Sequence, residues 1–439
     1  MRFTAEEIAA ATGGRVVGPP AVVDGASFDS RSLRPGQLFV PVVAERNGHG
    51  FVPAAVAAGA AVYLTAQGPI AGAAAATAVE VADTAAAFTA LGAAARDRLG
   101  ELVVGVTGSV GKTSVKDLTA AALGGRYRTA ASEKSFNNDL GLPHTLVNAA
   151  DGTQAAVLEM GMRGFGEIAR LCRVGRPTIG IVTVIGYAHV ELVGSIEGVA
   201  QAKGELPGAL PASGTAVLNA DDHRCIGLAA RTAARVLGFG IEAGDVRATR
   251  VVLDELARPS FELATPWGRA AVRLGQSGRH MAANAAAAAA AALAAGVPLE
   301  AAVAGLEQAQ LSPWRMELGR SLGGAVVVND AYNANPTSMR AALDALAALP
   351  VTGRRVAVLG VMAELGPDGP AQHAELGAWA SEHGITVVAV GTPWYGIAPV
   401  ADAAAALDAI GALGSADAVL VKASRVAGLE RLAAQLLAR

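Results

Sequence analysis

The stretch ELVVGVTGSVGKTSVKDLTAAAL, residues 101–123, sets an apolar run, a glycine-rich turn and a helix-spaced segment end to end. A strand that turns through glycines straight into a helix belongs in an open α/β sheet, where ligands gather beyond the carboxyl ends of the strands. Gly108, Ser109, Val110, Gly111, Lys112, Thr113 and Ser114 form the turn and the start of the helix. Glycines let backbone N–H groups close on phosphate oxygens, a helix N-terminus adds positive potential, and Lys112 neutralises phosphate charge. The Thr113 hydroxyl is suited to Mg²⁺. Spacing departs from the strict phosphate-loop pattern: Gly105 and Gly111 have five residues between them, and Val106 stands where the pattern places its first glycine. A plain glycine turn is the competing reading.

Beyond this loop, short β-rich runs alternate with helical stretches: AAVLEMG, TIGIVTVIG, GTAVLNA and RVLGFG. That rhythm predicts a mostly parallel, doubly wound sheet. Between Val246 and Leu274 the pattern changes to apolar-polar alternation, which predicts a local antiparallel embellishment. Valine-rich, Gly/Pro-punctuated runs before the loop predict a small N-terminal α/β domain. A second αβ series after LSPWRMEL predicts a Rossmann-like C-terminal one. The expected organisation is therefore α/β in three domains: 1–84, a central P-loop ATPase domain over 85–312, and 313–439.

Composition narrows the function classes. A net charge of −3 without a polybasic run excludes nucleic acid and membrane surfaces as the main partners, leaving small molecules. Glu6 and Glu7 interrupt the apolar stretch that an export signal needs, and MAANAAAAAAAALAAG is alanine-rich enough to be a buried or half-buried helix rather than a membrane span. Cys172 and Cys225 have no metal-ligand or CxxC spacing, so reduced thiols in a cytoplasmic chain are expected.

Several polar residues fall at strand ends or helix starts. Glu159 closes the run AAVLE, where a carboxylate suits a magnesium site, although a helix cap or surface charge reads equally from the residues. His189 follows another strand, with a structural histidine as the alternative. Lys203, between Ala202 and Gly204, reads unaided as a solvated helix lysine. His280 and Asn284 lie one turn apart on an otherwise alanine-rich helix, as a ligand edge or as an N-terminal cap. Asp330, Tyr332, Asn333, Asn335 and Pro336 crowd one strand end, as a ligand site or a turn.

Taken together the motifs resemble the Mur ligases of peptidoglycan synthesis, nearly end to end. LEMGMRGFGEIARL and NDAYNANPTSM are the most specific, supported by FDSRSLRPGQLFV, TGSVGKTS, SFNNDLGLP, IGYAHVELVGSIEGVAQAKGEL, VLGVMAELG and VLVKASR. The longer glycine spacing is itself a family feature. Val361, Val184 and Pro207 stand where the family usually carries an acidic residue, an asparagine and an aromatic.

The resemblance implies an ATP-dependent amide ligase that joins D-alanyl-D-alanine to UDP-N-acetylmuramoyl-tripeptide through an acyl phosphate. It implies Mg²⁺ held by Thr113 and Glu159, a second ion at His189, and Lys203 as the lysine that CO₂ carbamylates into a metal ligand. Lys112, Lys203 and His189 would carry catalysis. Asn284 would read the adenine, while Arg315, Asp330, Tyr332 and Asn333 would complete the ATP site. Ser30 and Arg31 would meet the uridine diphosphate, and Asn137 and Asn138 the region near the reacting carboxylate. A cytoplasmic monomer is expected. Sister ligases, including folylpolyglutamate synthase, share the loop and Lys203, but NDAYNANP argues against them. Joint retention of Lys112, Thr113, Glu159, His189 and Lys203 argues against a non-catalytic binding protein.

Overall fold

The apolar run before the glycine loop is the strand Leu102–Thr107, and the helix-spaced segment after it is the helix Lys112–Gly124. In the computed structural model, which describes residues 1–133, 135–187 and 190–439, the chain divides into two compact units. One comprises Met1–Gly105, Tyr127–Gly161 and Ile168–Ile179. The other comprises Val106–Arg126, Met162–Glu167 and Gly180–Arg439.

In the first unit, a five-stranded sheet runs in the order Arg15–Val17, Thr77–Glu80, Val62–Thr65, Leu38–Phe39, Ala26–Ser27. Four of its strands are parallel and Arg15–Val17 is antiparallel at the edge. All four residues of Val62–Thr65 are buried, as a parallel strand covered on both faces requires. The helix Thr84–Asp97 starts on Asp83, whose carboxylate accepts from the N–H groups of Ala85 and Ala86. It approaches the helix Gly141–Val147 so closely that a Cβ on Gly92 would lie 2.7 Å from Pro143 Cβ. The strand Ala155–Glu159 pairs in parallel with Thr129–Ala131 and ends on its glutamate.

In the second unit, Thr215–Asn219 and Arg235–Gly240 are parallel. The antiparallel strands Val246–Leu253, Pro259–Thr265 and Gly268–Arg273 extend the same sheet, because Val246 and Arg247 pair with the end of Arg235–Gly240. The predicted embellishment is thus an enlargement of the sheet. The alanine-rich segment is the helix His280–Ala294, buried from Ala285 through Leu293 and packed on the Lys112–Gly124 helix. Alanine permits that burial, since only methyl groups separate the helix from its neighbours. Among the described residues no helix is long and apolar enough to cross a membrane.

The last sheet of this unit runs Glu317–Arg320, Val326–Asn329, Ala418–Lys422, Arg355–Leu359, Ile385–Ala389, parallel except for the first strand. Strand periodicity sorts its side chains: Val326, Val328, Ala357, Leu359 and Leu420 enter one apolar cluster, and Val327, Val356, Val358, Val419 and Val421 the other. The expected α/β class with largely parallel sheets is borne out.

Candidate active site

Two glycines of the loop hold conformations that side chains resist, φ 146° at Gly108 and 84° at Gly111. A Cβ on Gly108 would lie 1.8 Å from Thr183 Oγ1, and one on Gly111 2.9 Å from Asn284 Oδ1. Both positions therefore require glycine, for backbone conformation and for space. Thr183 Oγ1 donates to Val110 O at 2.5 Å, Ser109 N to Val184 O at 2.8 Å, and Ser109 Oγ to Gly186 O at 2.9 Å. Lys112 Nζ donates to Gly108 O at 2.7 Å, closing the loop over itself. The N-cap of the Lys112–Gly124 helix is Gly111, which has no side chain to cap the first turn, and a helix N-terminus of this kind favours an anion.

The segment that receives the loop is braced in turn. Asn219 Nδ2 donates to Thr183 O at 2.8 Å, and Ile185 N donates to Asp222 Oδ2 at 2.7 Å. Thr183, Asn219 and Asp222 have no role in the sequence reading above. Asn and Asp at the end of GTAVLNADD are the signal that points to them, since strand-end polar groups face the ligand edge.

From the C-terminal part of this unit, Arg315 Nη2 donates to Thr113 Oγ1 at 2.9 Å, and its guanidinium lies 4.1 Å from the centre of the Tyr332 ring. Asn335 caps the helix Pro336–Ala348 through a reciprocal bond pair with Ser338, and its Nδ2 donates to Ser109 O at 3.4 Å. Lys422, buried at the end of its strand, donates to Asp330 Oδ2 at 2.6 Å and to Asn333 O at 2.7 Å. Met316 N donates to the other Asp330 oxygen at 3.1 Å. Both oxygens of Asp330 are thus engaged, and Asn333 contributes its backbone carbonyl to the bracing. Burial pushes the Lys422 ammonium below the ordinary lysine range, against the opposing pull of Asp330. Val110, Asn284, Arg315, Asp330 and Lys422 are among the residues lining a cavity of about 50 Å³. Asn284 does not cap its helix; it packs against the phosphate loop, which removes the capping alternative.

Lys203 ends the helix Ile196–Lys203, which starts on a Ser195 cap, and is 1% exposed. The solvated-lysine reading is overturned. Burial first, and the charge of Lys112 second, push its ammonium well below the usual lysine range. Nearby in sequence, Glu205 Oε1 accepts from Gly166 N at 2.6 Å.

In the first unit Glu159 is 1% exposed, and its Oε1 accepts from Asn137 Nδ2 at 2.8 Å. A surface charge is excluded. Asn138 Oδ1 accepts from the N–H groups of Leu140 and Gly141, so its carbonyl shapes the turn. Exposed Arg31 holds Asp29 with two bonds, 2.9 Å from Nε and 2.7 Å from Nη2, which keep that carboxyl below its ordinary range. Ser30 lies between them in sequence, half-buried. The half-buried rings of Phe28, Phe136 and His144 meet with centres 5.0 to 5.6 Å apart. His189 lies outside the described residues. Among the described residues no three His, Cys, Asp or Glu side chains cluster as a ready metal site.

Residues 106–292 match the Mur ligase middle domain and 314–435 the Mur ligase, glutamate ligase domain. Over its whole length the chain is 40% identical to the UDP-N-acetylmuramoyl-tripeptide–D-alanyl-D-alanine ligase of Mycobacterium bovis, covering 98% of that protein. This chain belongs to the Mur ligase family. Its fold matches a crystal structure of MurF from Acinetobacter baumannii with a TM-score of 0.87, at 32% identity over 100% of this chain and 99% of that one. It also matches the MurF ligase of Thermotoga maritima in complex with ADP, with a TM-score of 0.78 at 25% identity, over 94% and 97% of the two chains. The resemblance read from the motifs is borne out.

Proposed function

We propose that this Mur ligase joins D-alanyl-D-alanine to UDP-N-acetylmuramoyl-tripeptide, with ATP converted to ADP and phosphate, in peptidoglycan precursor synthesis. The observation that carries the reading is the end-to-end likeness to ligases of that name, at 40% identity with 98% of the relative covered.

In this reading the tripeptide's terminal carboxylate attacks the γ-phosphorus of ATP, the bond to the β,γ-bridging oxygen breaks to release ADP, and the carboxylate becomes an acyl phosphate. The dipeptide amine then attacks the acyl carbon, loses a proton, and phosphate leaves as the amide forms. The chain contributes positioning and charge neutralisation, as phosphoryl transfer requires. Gly108, Ser109, Val110, Gly111 and Ser114 wrap the phosphates, and Lys112 exchanges its bond to Gly108 O for a phosphate oxygen. Asn284, beside Gly111, reads the adenine. Arg315, Asp330, Tyr332 and Asn333 close the site from the C-terminal part and exclude water that would hydrolyse the acyl phosphate.

Each donor by itself suits magnesium: a hydroxyl at a helix start and a carboxylate 1% exposed at a strand end are both the kind of hard oxygen ligand this ion selects. Thr113 and Glu159 would hold one ion, and His189 with carbamylated Lys203 a second. Bound Mg²⁺ would supply neutralisation of the phosphate charge. A carbamate forms only on a neutral amine, and the burial of Lys203 favours that form. Ser30 and Arg31 would bind the uridine diphosphate, with Asn137 and Asn138 near the reacting carboxylate.

We assign these tasks to the segments 1–84, 85–312 and 313–439; the location of the five-stranded N-terminal sheet within 15–80 and of the C-terminal sheet within 317–422 supports the outer two. The reaction is placed in the cytoplasm, where ATP and UDP-linked precursors are available. Phosphate release from ATP that requires both UDP-muramoyl-tripeptide and D-Ala-D-Ala is the expected result. Release driven by folate and glutamate, or uncoupled from any acceptor, overturns the assignment.

A further inference from the structure

One turn beyond Thr113, the Lys112–Gly124 helix carries a buried ion pair that has no task in the mechanism above. Lys116 is 1% exposed, and its ammonium lies 2.9 Å from Asp117 Oδ1 and 3.5 Å from Ser312 Oγ. Adjacent residues on a helix do not face each other. These two side chains meet around a third group, for Ser312 N donates to Asp117 Oδ2 at 2.7 Å.

Thr113 and Asp117 are four residues apart and share one face of the helix. Ser312 is bound to Asp117 and Arg315 to Thr113, so residues 312–315 run along that face, gripped at both ends. Within this segment Trp314 has φ 61° and Met316 φ 50°, left-handed conformations on either side of Arg315 that residues with a Cβ disfavour. Such strain persists only where the surroundings over-determine it. Here Trp314 N donates to Glu317 Oε2 at 3.2 Å and Met316 N to Asp330 Oδ1 at 3.1 Å, while Asp117 fixes where the segment begins.

We propose that Asp117, held in place by Lys116, is a positioning residue for Arg315: it anchors Ser312 so that the strained turn delivers the guanidinium to the phosphate loop. Asp117 touches no substrate and acts through Arg315. The inference rests on the reading of this loop as the ATP site.

The test is a double-mutant cycle on nucleotide affinity, read by calorimetry with ADP and by KM for ATP in the coupled phosphate assay. Asp117→Ala is expected to weaken ADP about tenfold and to leave KM for D-Ala-D-Ala unchanged, with the cost vanishing in an Arg315→Ala background. Asp117→Asn, which keeps an oxygen for Ser312 N and nearly the same volume, should lose less, and it carries the same cycle if the alanine variant fails to fold. Lys116→Arg should retain affinity where Lys116→Met loses it. An equal loss with and without Arg315 overturns the proposal, as does unchanged ADP affinity in a folded Asp117→Ala protein. Wild-type enzyme that binds no ADP would instead overturn the nucleotide reading itself.

Discussion

Arg315 and Thr113, 202 residues apart in the chain, are joined by a 2.9 Å hydrogen bond from guanidinium to hydroxyl. The buried Nε of the same guanidinium has no hydrogen-bond partner among the described residues. A cation therefore rests on the hydroxyl proposed for the metal ion, with a donor unspent. Nucleotide phosphate answers both features, since it offers acceptors to the guanidinium and lets the hydroxyl turn to a cation. Arg315→Ala should raise KM for ATP by about 10- to 100-fold, the equivalent of a charged hydrogen bond of about 1.5–3 kcal/mol. Steady-state kinetics with ATP varied would check this, and an unchanged KM would place Arg315 outside the nucleotide site.

Gly108 allows a sharper test of the loop. An alanine there meets two obstacles, φ 146° and a Cβ position 1.8 Å from Thr183 Oγ1. Removing the hydroxyl relieves only the second. Gly108→Ala is expected to lose ATP turnover and about 1–3 kcal/mol of stability, and Thr183→Ala should recover only part of either. Full recovery in the double variant, measured by denaturant melts and turnover, would show that the backbone conformation carries no cost.

The two kinds of signal in the sequence differ in how far they reach. Short continuous apolar runs such as AVVVN and RRVAVLG encode strands buried on both faces, because that burial depends only on local residue type, and the C-terminal sheet forms from them as read. Glu159 is legible through a family motif, and Arg315 only through what the overall resemblance implies. Lys203 was ambiguous from its neighbours, because a lysine near a helix end is usually solvated and its burial depends on residues that pack over it from elsewhere in the chain. Asn219, Asp222 and Lys422 act by bracing backbone across 36, 37 and 89 residues. Such partnerships leave no local pattern, so they emerge only when tertiary packing brings the segments together.

His373 links the loop after Leu359 to pH. Its Nε2 accepts from Met362 N at 2.8 Å, so the proton sits on Nδ1, which donates to Gly369 O at 2.6 Å. The fully buried ring packs against Trp394 and Tyr395, and burial lowers its affinity for a second proton. The unfolded chain then binds the proton more readily. The contribution to stability is complete above the unfolded histidine value of about 6.5 and declines as pH falls below it. Comparing melts at pH 7.5 and 5.5, His373→Gln should lose less stability on acidification than the wild type. Equal losses would mean that this ring titrates alike in both states.

Lys203 bears on the proposed carbamate. Lys203→Ala is expected to lose activity by about 10- to 100-fold, as loss of a metal-supporting group does. Added bicarbonate or a short carboxylic acid should restore part of it, because either places a carboxylate-like group in the space vacated. Turnover unchanged by the substitution refutes the assignment. Loss without rescue, in a variant that melts like the wild type, argues for an amine role.

Asp330 and Lys422 form a buried pair whose two contributions are separable. The carboxylate accepts from Lys422 at 2.6 Å and from Met316 N at 3.1 Å, so it holds both the strand-end lysine and the turn that presents Arg315. Asp330→Ala strands an ammonium that is 2% exposed, at a cost of about 3–5 kcal/mol for breaking one side of a buried pair. Burial already lowers the proton affinity of Lys422, so the loss should fall toward the lower end of that range. Asp330→Ala combined with Lys422→Met removes the stranded charge and should recover most of the stability. KM for ATP should stay raised in the double variant, because Met316 N and the Arg315 turn remain unanchored, while KM for D-Ala-D-Ala stays near wild type. A double variant with normal KM for ATP would confine Asp330 to folding, and a raised KM for the dipeptide alone would move it to the acceptor side.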